Sequence, residues 1–174
     1  MVMEYLQVPS SDDFRAEQIF KSYCETFPED ERRSEEQFHS LFSNPNVKVF
    51  SVLKDLKNIG YLIMWELSNS VFVEHFEIFS EYRSLKYGSE IIADLFRDYS
   101  HIILEAEPET LNNDAQRRIE FYKRNGFRII DEQYIQPSYG EGKSPLKLWL
   151  LANWQPEKID WIKEEIYDIV YRKL

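Results

Sequence analysis

Hydrophobic and polar residues along this 174-residue chain recur at two periods, and the switches between them lay out its elements. The sharpest switch falls between Val71 and Ser100. VFVEHFEIF, dense in β-branched and aromatic residues, reads as a strand that ends at Ser80-Glu81-Tyr82; Tyr87, Ile91, Ile92, Leu95, Phe96 and Tyr99 then recur on one helical face. The predicted order is strand, tight loop, helix. A loop that feeds a helix N-terminus turns several backbone N–H groups and the positive end of the helix dipole towards one spot, which suits a phosphate.

The rest of the chain is organised around that unit. Met1–Val8 is a predicted opening strand, and Ser10 with Asp13 is a helix-start signal for a helix over about 12–26, its inner face Ala16, Ile19, Phe20, Tyr23 and Phe27, closed by Pro28. Ser34 and Gln37 fit a capping box for a second helix to about Phe42. Val47–Leu53 and Gly60–Leu67 form a predicted hairpin leading into the Val71 strand, and His101–Glu107, reached through a helix, should lie parallel to that strand by a right-handed crossover. Asn112 or Asn113 can cap a helix running to Asn125, with Ala115, Ile119 and Tyr122 inward and Gly126 as its stop. Phe127–Ile135 and Pro145–Leu151 read as a long hairpin joined by an irregular loop, and Pro156 opens a closing amphipathic helix with Ile159, Ile162, Ile166, Ile169 and Val170 on one side. The order βααβββαβαββ predicts a mixed α/β fold, with about seven strands, mostly antiparallel, flanked by helices.

Composition narrows the classes. The length suits one domain, and 43% hydrophobic with 16% aromatic residues excludes a disordered chain. A net charge of −10 argues against nucleic acid or an anionic membrane as the main partner. Cys24, the single cysteine, has no disulfide partner within the chain; no apolar run reaches membrane-spanning length, and the N-terminus lacks the pattern of a secretory signal. A cytoplasmic location is expected. Arg83, Lys86, Arg117, Arg118, Lys123, Arg124 and Arg128 form the dense basic cluster in the middle of an acidic chain, a local field for an anionic ligand.

Arg83-Ser84-Leu85-Lys86-Tyr87-Gly88 resembles the Arg/Gln-x-x-Gly-x-Gly/Ala signature of the GNAT acyltransferases, with Lys86 in the place of the first glycine. Phe121-Tyr122-Lys123-Arg124-Asn125-Gly126-Phe127 matches the family's Phe-Tyr-x-x-x-Gly-Phe, and the predicted strand Ile103–Glu107 lies between the two signatures. The resemblance implies a GNAT domain over residues 1–152 whose fourth and fifth strands splay apart around the arm of acetyl-coenzyme A, with residues 153–174 as an added helix packed on the domain or on a second subunit. It also implies that Arg83, Ser84, Leu85, Lys86, Tyr87, Gly88 and Ser89 hold the pyrophosphate, and that amides from Phe76 to Ile78 stabilise the oxyanion. Tyr122 would be the general acid. Where many members carry an Asn that bonds the cofactor arm this chain has Ala115, so Asn113 or Asn112 is the substitute. The activity implied is transfer of an acetyl group to a primary amine of a small molecule or peptide by direct attack. The competing reading is a non-catalytic acyl-coenzyme A sensor, motivated by Lys86 and Ala115.

For the base, or as an anchor for the substrate ammonium, Glu77 is the first candidate and Glu105 the second. Strand alternation puts His75 and Glu77 on one face, and Glu74 with Phe72, Phe76 and Ile78 on the other. His75 is either a group titrating near neutrality or hydrogen-bonded filler, and His101, at a strand start, is a poorer candidate. Arg32 and Arg33 either hold an acidic group of the acceptor or offset the acidic residues Glu29-Asp30-Glu31; Tyr134, Tyr139 and Trp149 either wall an acceptor pocket or simply pack. Cys24 is expected to be inert. No His and Cys spacing suggests a metal site. The acidic chain favours a cationic acceptor.

Overall fold

A computed structural model describes residues 2–171. Met1, included in the predicted opening strand, lies outside the described residues. The strands are β1 (Met3–Gln7), β2 (Val47–Lys54), β3 (Lys57–Glu66), β4 (Val71–Ile78), β5 (Ile102–Ala106), β6 (Arg128–Asp131), β7 (Ile135–Gln136), β8 (Leu146–Lys147) and β9 (Trp149–Ala152). The helices are α1 (Phe14–Thr26), α2 (Glu35–Leu41), α3 (Tyr87–Asp98), α4 (Asn113–Arg124) and α5 (Ile159–Ile166), the last continued by a π turn over Tyr167–Tyr171. One seven-stranded sheet runs β1-β2-β3-β4-β5-β9-β6, and β7 with β8 makes a separate ribbon. Only β4 and β5 run parallel within the large sheet; its other pairings are antiparallel.

Each face of the sheet buries its own apolar layer. Ile19 and Tyr23 of α1, Phe38 and Leu41 of α2, and Ile166, Val170 and Tyr171 near the C-terminus pack with Tyr61, Ile63, Phe72 and Leu150. On the opposite face Ile91, Ile92 and Leu95 of α3 and Ile119 and Tyr122 of α4 pack with Leu62, Met64, Val73 and Leu104. Fully burying an aliphatic side chain of this size contributes about 1.5–3 kcal/mol, so the α3 stripe alone fixes that helix against the sheet.

Local chemistry sets the helix ends. Asp13, rather than Ser10, is the N-cap of α1 and accepts from the Arg15 amide at 2.9 Å. Ser34 and Gln37 form the predicted capping box, and Asn112 caps α4 through the Ala115 amide. Gly126 takes φ +95° just past α4, a conformation that a side chain would strain.

Two details depart from strict alternation and both shape the site. β4 carries a bulge: Ile63 pairs with His75 and Met64 with Val73, leaving Glu74 as the extra residue. An extra residue resets the face parity, so Glu74 joins His75 and Glu77 on the α1 side while Phe76 and Ile78 join the α3 side. The expectation that Glu74 shares a face with Phe76 and Ile78 is thereby corrected. Secondly, the predicted late hairpin is interrupted after Asp131, and its return strand β9 enters between β5 and β6.

Candidate active site

β4 and β5 pair over three residues, Val71–Val73 against Ile102–Leu104, and no further. Beyond that point the edge of β4 from Glu74 to Ile78 has no β5 partner, and a cleft of about 1060 Å³ opens between the strands. Its walls include Phe76, Glu77, Ile78, Arg83, Ser84, Lys86, Tyr87, Gly88, Ser89, Glu105 and Tyr122. Leu85 and Asn113 are exposed and do not line it. Ala115 is fully buried beneath α4, and Asn112 is committed to the cap, so the predicted Asn contact has no counterpart in the cleft.

Both charges line the cleft. The loop after β4 and helix α4 contribute Arg83, Lys86, Arg117, Arg118 and Arg124 together with Asp114, whereas α1, the turn at Glu29–Glu31, strands β4 and β5 and the residue just past β5 contribute Glu25, Glu31, Glu74, Glu77, Glu105 and Glu107. Lys123 and Arg128 of the basic cluster lie outside the walls. Several of these cations are already paired: Arg118 with Glu107 at 3.0 Å and Arg117 with Asp114 at 2.5 Å.

The loop before α3 has a glycine-like backbone at a position that is not glycine. Lys86 stands at the helix N-cap with φ +65° and ψ 6°, the left-handed conformation that glycine adopts without cost. Gly88 has a different reason to lack a side chain: a Cβ there would sit 3.0 Å from the Phe121 ring.

Tyr122 is 8% exposed, and burial raises its phenol pKa, opposed weakly by Arg118. It holds its proton at neutral pH. Glu77 is tied to α1, its Oε1 accepting from Ser22 at 3.0 Å and Thr26 at 2.6 Å, with Arg83 at 3.4 Å. Glu105 accepts from the phenols of Tyr134 and Tyr171, and burial, reinforced by Glu74 and Glu31, pushes its carboxyl up to about 8 against those two hydrogen bonds. Glu31 is likewise pushed up to about 7 by burial and by the facing Glu107.

The remaining candidates are structural. His75 Nε2 lies 3.3 Å from the Tyr23 hydroxyl, between the rings of Tyr23 and Phe27, and burial pushes its pKa down to about 4, so the ring is neutral near pH 7. Arg33 is buried and bonded to Glu74, not to Glu29-Asp30-Glu31, while Arg32 donates to Cys24 Sγ at 3.1 Å. Tyr134, Tyr139 and Trp149 are packed inside and do not line the cleft, although two of them point hydroxyls at Glu105 and Glu74. His101 stacks on Trp154, away from the cleft. Among the described residues no group of three or more His, Cys, Asp or Glu side chains could hold a metal ion, and no helix is long and apolar enough to cross a membrane.

The splayed strands, the left-handed turn ahead of α3 and the buried phenol occur in a chain whose residues 16–127 match the profile described as the acetyltransferase (GNAT) family. The chain belongs to that family. A GNAT-family protein from Bacteroides thetaiotaomicron is 26% identical and superposes with a TM-score of 0.89 over 97% of this chain and 98% of its own. A GNAT acetyltransferase from Elizabethkingia anophelis with acetyl-CoA bound shares the fold at 11% identity and a TM-score of 0.58, over 86% of this chain and 96% of that one. Arabidopsis thaliana Naa50, in complex with the bisubstrate analogue CoA-Ac-MVNAL, does so at 18% and 0.58, over 87% and 98%. No curated protein sequence matches this chain. In a GNAT protein the slot between β4 and β5 fits the pantetheine arm of acetyl-CoA and the amides ahead of α3 fit its pyrophosphate.

Sequence reasoning missed Ser22, Thr26, Glu31, Glu107 and Tyr171. Ser22 and Thr26 are one helical turn apart, and Glu105 and Glu107 are two apart on a strand, so both pairs were detectable by face. Tyr171 left no such signal, because it approaches from a helix whose docking the sequence does not encode locally.

Proposed function

We propose that the protein transfers the acetyl group of acetyl-CoA to a primary amine on a cationic acceptor, by direct attack in a ternary complex. The observation carrying this reading is one cleft lined by arginines and Lys86 from the loop after β4 and α4, suited to an anionic donor, and by glutamates from α1, β4 and β5, suited to an ammonium, with Tyr122 lining the same space. Phe76–Ile78 supply backbone N–H groups for the oxyanion; Arg83, Ser84, Lys86, Tyr87, Gly88 and Ser89 hold the phosphates. Tyr122 gives its phenolic proton to the departing thiolate. Glu77, fixed by two hydroxyls and facing Arg83, acts as an anchor for positive charge.

Thiol release from acetyl-CoA with a panel of amines, followed in wild type and Tyr122→Phe, tests the proposal. Turnover that favours amines bearing a second positive charge supports it. Lys86, a side chain where the family has glycine, favours the alternative of an acyl-CoA sensor, and normal coenzyme A binding with no turnover on any amine would establish that instead.

A further inference from the structure

The C-terminal segment lies outside the residues that match the family profile and does not line the cleft, yet Tyr171 bonds Glu105, which does. α5 is docked by Lys163 on Asp131 at 2.8 Å, by the Tyr167 hydroxyl donating to the Ile135 carbonyl at 2.8 Å, and by Glu165 accepting from the Ser68 amide at 2.6 Å. Ile166, Val170 and Tyr171 are buried behind it. The Val170 carbonyl accepts from Arg33 at 3.1 Å, and the Tyr171 hydroxyl lies 2.9 Å from both oxygens of Glu105. Tyr171 is therefore delivered by a packed helix and not by a loose chain end.

The two carboxylates that sequence nominates differ in their surroundings. Glu77 is bound by the Ser22 and Thr26 hydroxyls with the Arg83 guanidinium nearby. Glu105 sits one residue past the end of the β4–β5 pairing, where the slot opens, and its carboxylate is held by phenols. We propose that Glu105 takes the proton released by the acceptor ammonium and that Tyr171 is the positioning residue that orients this carboxylate, which makes the C-terminal segment part of the acceptor site. The inference rests on the acetyltransferase reading. An N–H proton of R–NH3+ passes to Glu105, and the freed lone pair forms the C–N bond. As the C–S bond breaks, the thiolate takes the Tyr122 proton, and the second N–H proton of the adduct restores Tyr122. Glu105 then gives its proton to solvent, so the net products are the amide, the free thiol and one proton.

The groups facing Glu105 are Glu74 with its Arg33, Glu31 of the turn after α1, Tyr134 and Tyr139 of the late loop, and Tyr167 and Tyr171 of the C-terminal segment. Of these Tyr134 and Tyr171 donate hydrogen bonds to the carboxylate and favour its charged form.

The test is a pH titration of the full-length protein labelled with 13C at the glutamate carboxyl, with the Glu105 resonance assigned by its loss in Glu105→Gln. Wild type should titrate near 8, and Tyr171→Phe should move that midpoint up by about one unit. Tyr134→Phe, from an independent segment, should move it the same way, which keeps the test decisive if Tyr171→Phe folds poorly. Tyr167→Phe, which loses a docking bond of the same segment but none to Glu105, should leave it in place. The acid limb of kcat/KM should track the resonance, with about a tenfold loss at pH 7 in Tyr171→Phe. A Glu105 midpoint near 4, or a limb unmoved by either phenol variant while amines still turn over, overturns the inference and leaves the acetyltransferase reading standing. Absence of turnover in wild type at every pH, with coenzyme A bound, overturns the reading and the base role together.

Discussion

The Arg33 guanidinium lies 2.9 Å from the Glu74 carboxylate, with 3% and 0% of the two side chains exposed. Glu74 is the bulged residue of β4, and its oxygens also accept from Trp65 Nε1 at 2.6 Å and the Tyr139 hydroxyl at 2.8 Å. Burial works against this charge, but the Arg33 charge together with the hydrogen bonds from Trp65 and Arg33 holds the carboxyl below its usual range. Removing either partner leaves an uncompensated buried charge, so Arg33→Met and Glu74→Leu should each cost about 3–5 kcal/mol in urea unfolding. The double variant should cost clearly less than the sum. Additive losses would show that the pair is not coupled.

His75 gives the stability curve an acid limb. Its folded pKa of about 4 lies below the ordinary value of about 6.5, so its contribution is complete above pH 6.5 and is lost as pH falls towards 4. Wild type should therefore lose about 3 kcal/mol more than His75→Phe between pH 7 and pH 4. Parallel curves for the two proteins would contradict the buried, neutral ring.

Lys86 couples strain to binding. Releasing a non-glycine residue from the left-handed region should make Lys86→Gly more stable by about 1 kcal/mol in thermal or urea unfolding. Loss of the ammonium should weaken coenzyme A binding by about fivefold at low salt in calorimetry, with the gap closing as salt rises. Tighter binding by Lys86→Gly at every salt concentration would mean that the side chain obstructs the phosphates.

Tyr122→Phe should lower kcat by about 10²–10⁴, the range of a general acid, while coenzyme A affinity stays within twofold by about the same calorimetric measure. A variant with unchanged kcat would move the acid role to another group.

The strand, loop and helix around Val71–Asp98 were legible because their period changes abruptly and because two motifs flank β5. The Ser34–Gln37 cap and the Asn112 cap were legible for the same local reason. Non-local features were not. The bulge at Glu74 is set by pairing with β3, so alternation alone assigned its face wrongly. Arg33 reads as one more charge in a polar turn until the fold brings it beside Glu74, 41 residues on in the chain. Tyr134 and Tyr139 read equally as pocket walls or as packing, because an aromatic near a loop has no pattern that separates packing from display.

β9 and Tyr171 together impose an order on biosynthesis. The strand that fills the gap between β5 and β6 comes from residues 149–152, after every other strand of the large sheet. A nascent chain must hold the edge of Ile102–Ala106 open until those residues clear the ribosome, a window for mispairing with another polypeptide. Because Glu105 receives one of its phenols from residue 171, a chain halted before that residue leaves the carboxylate with the Tyr134 phenol alone.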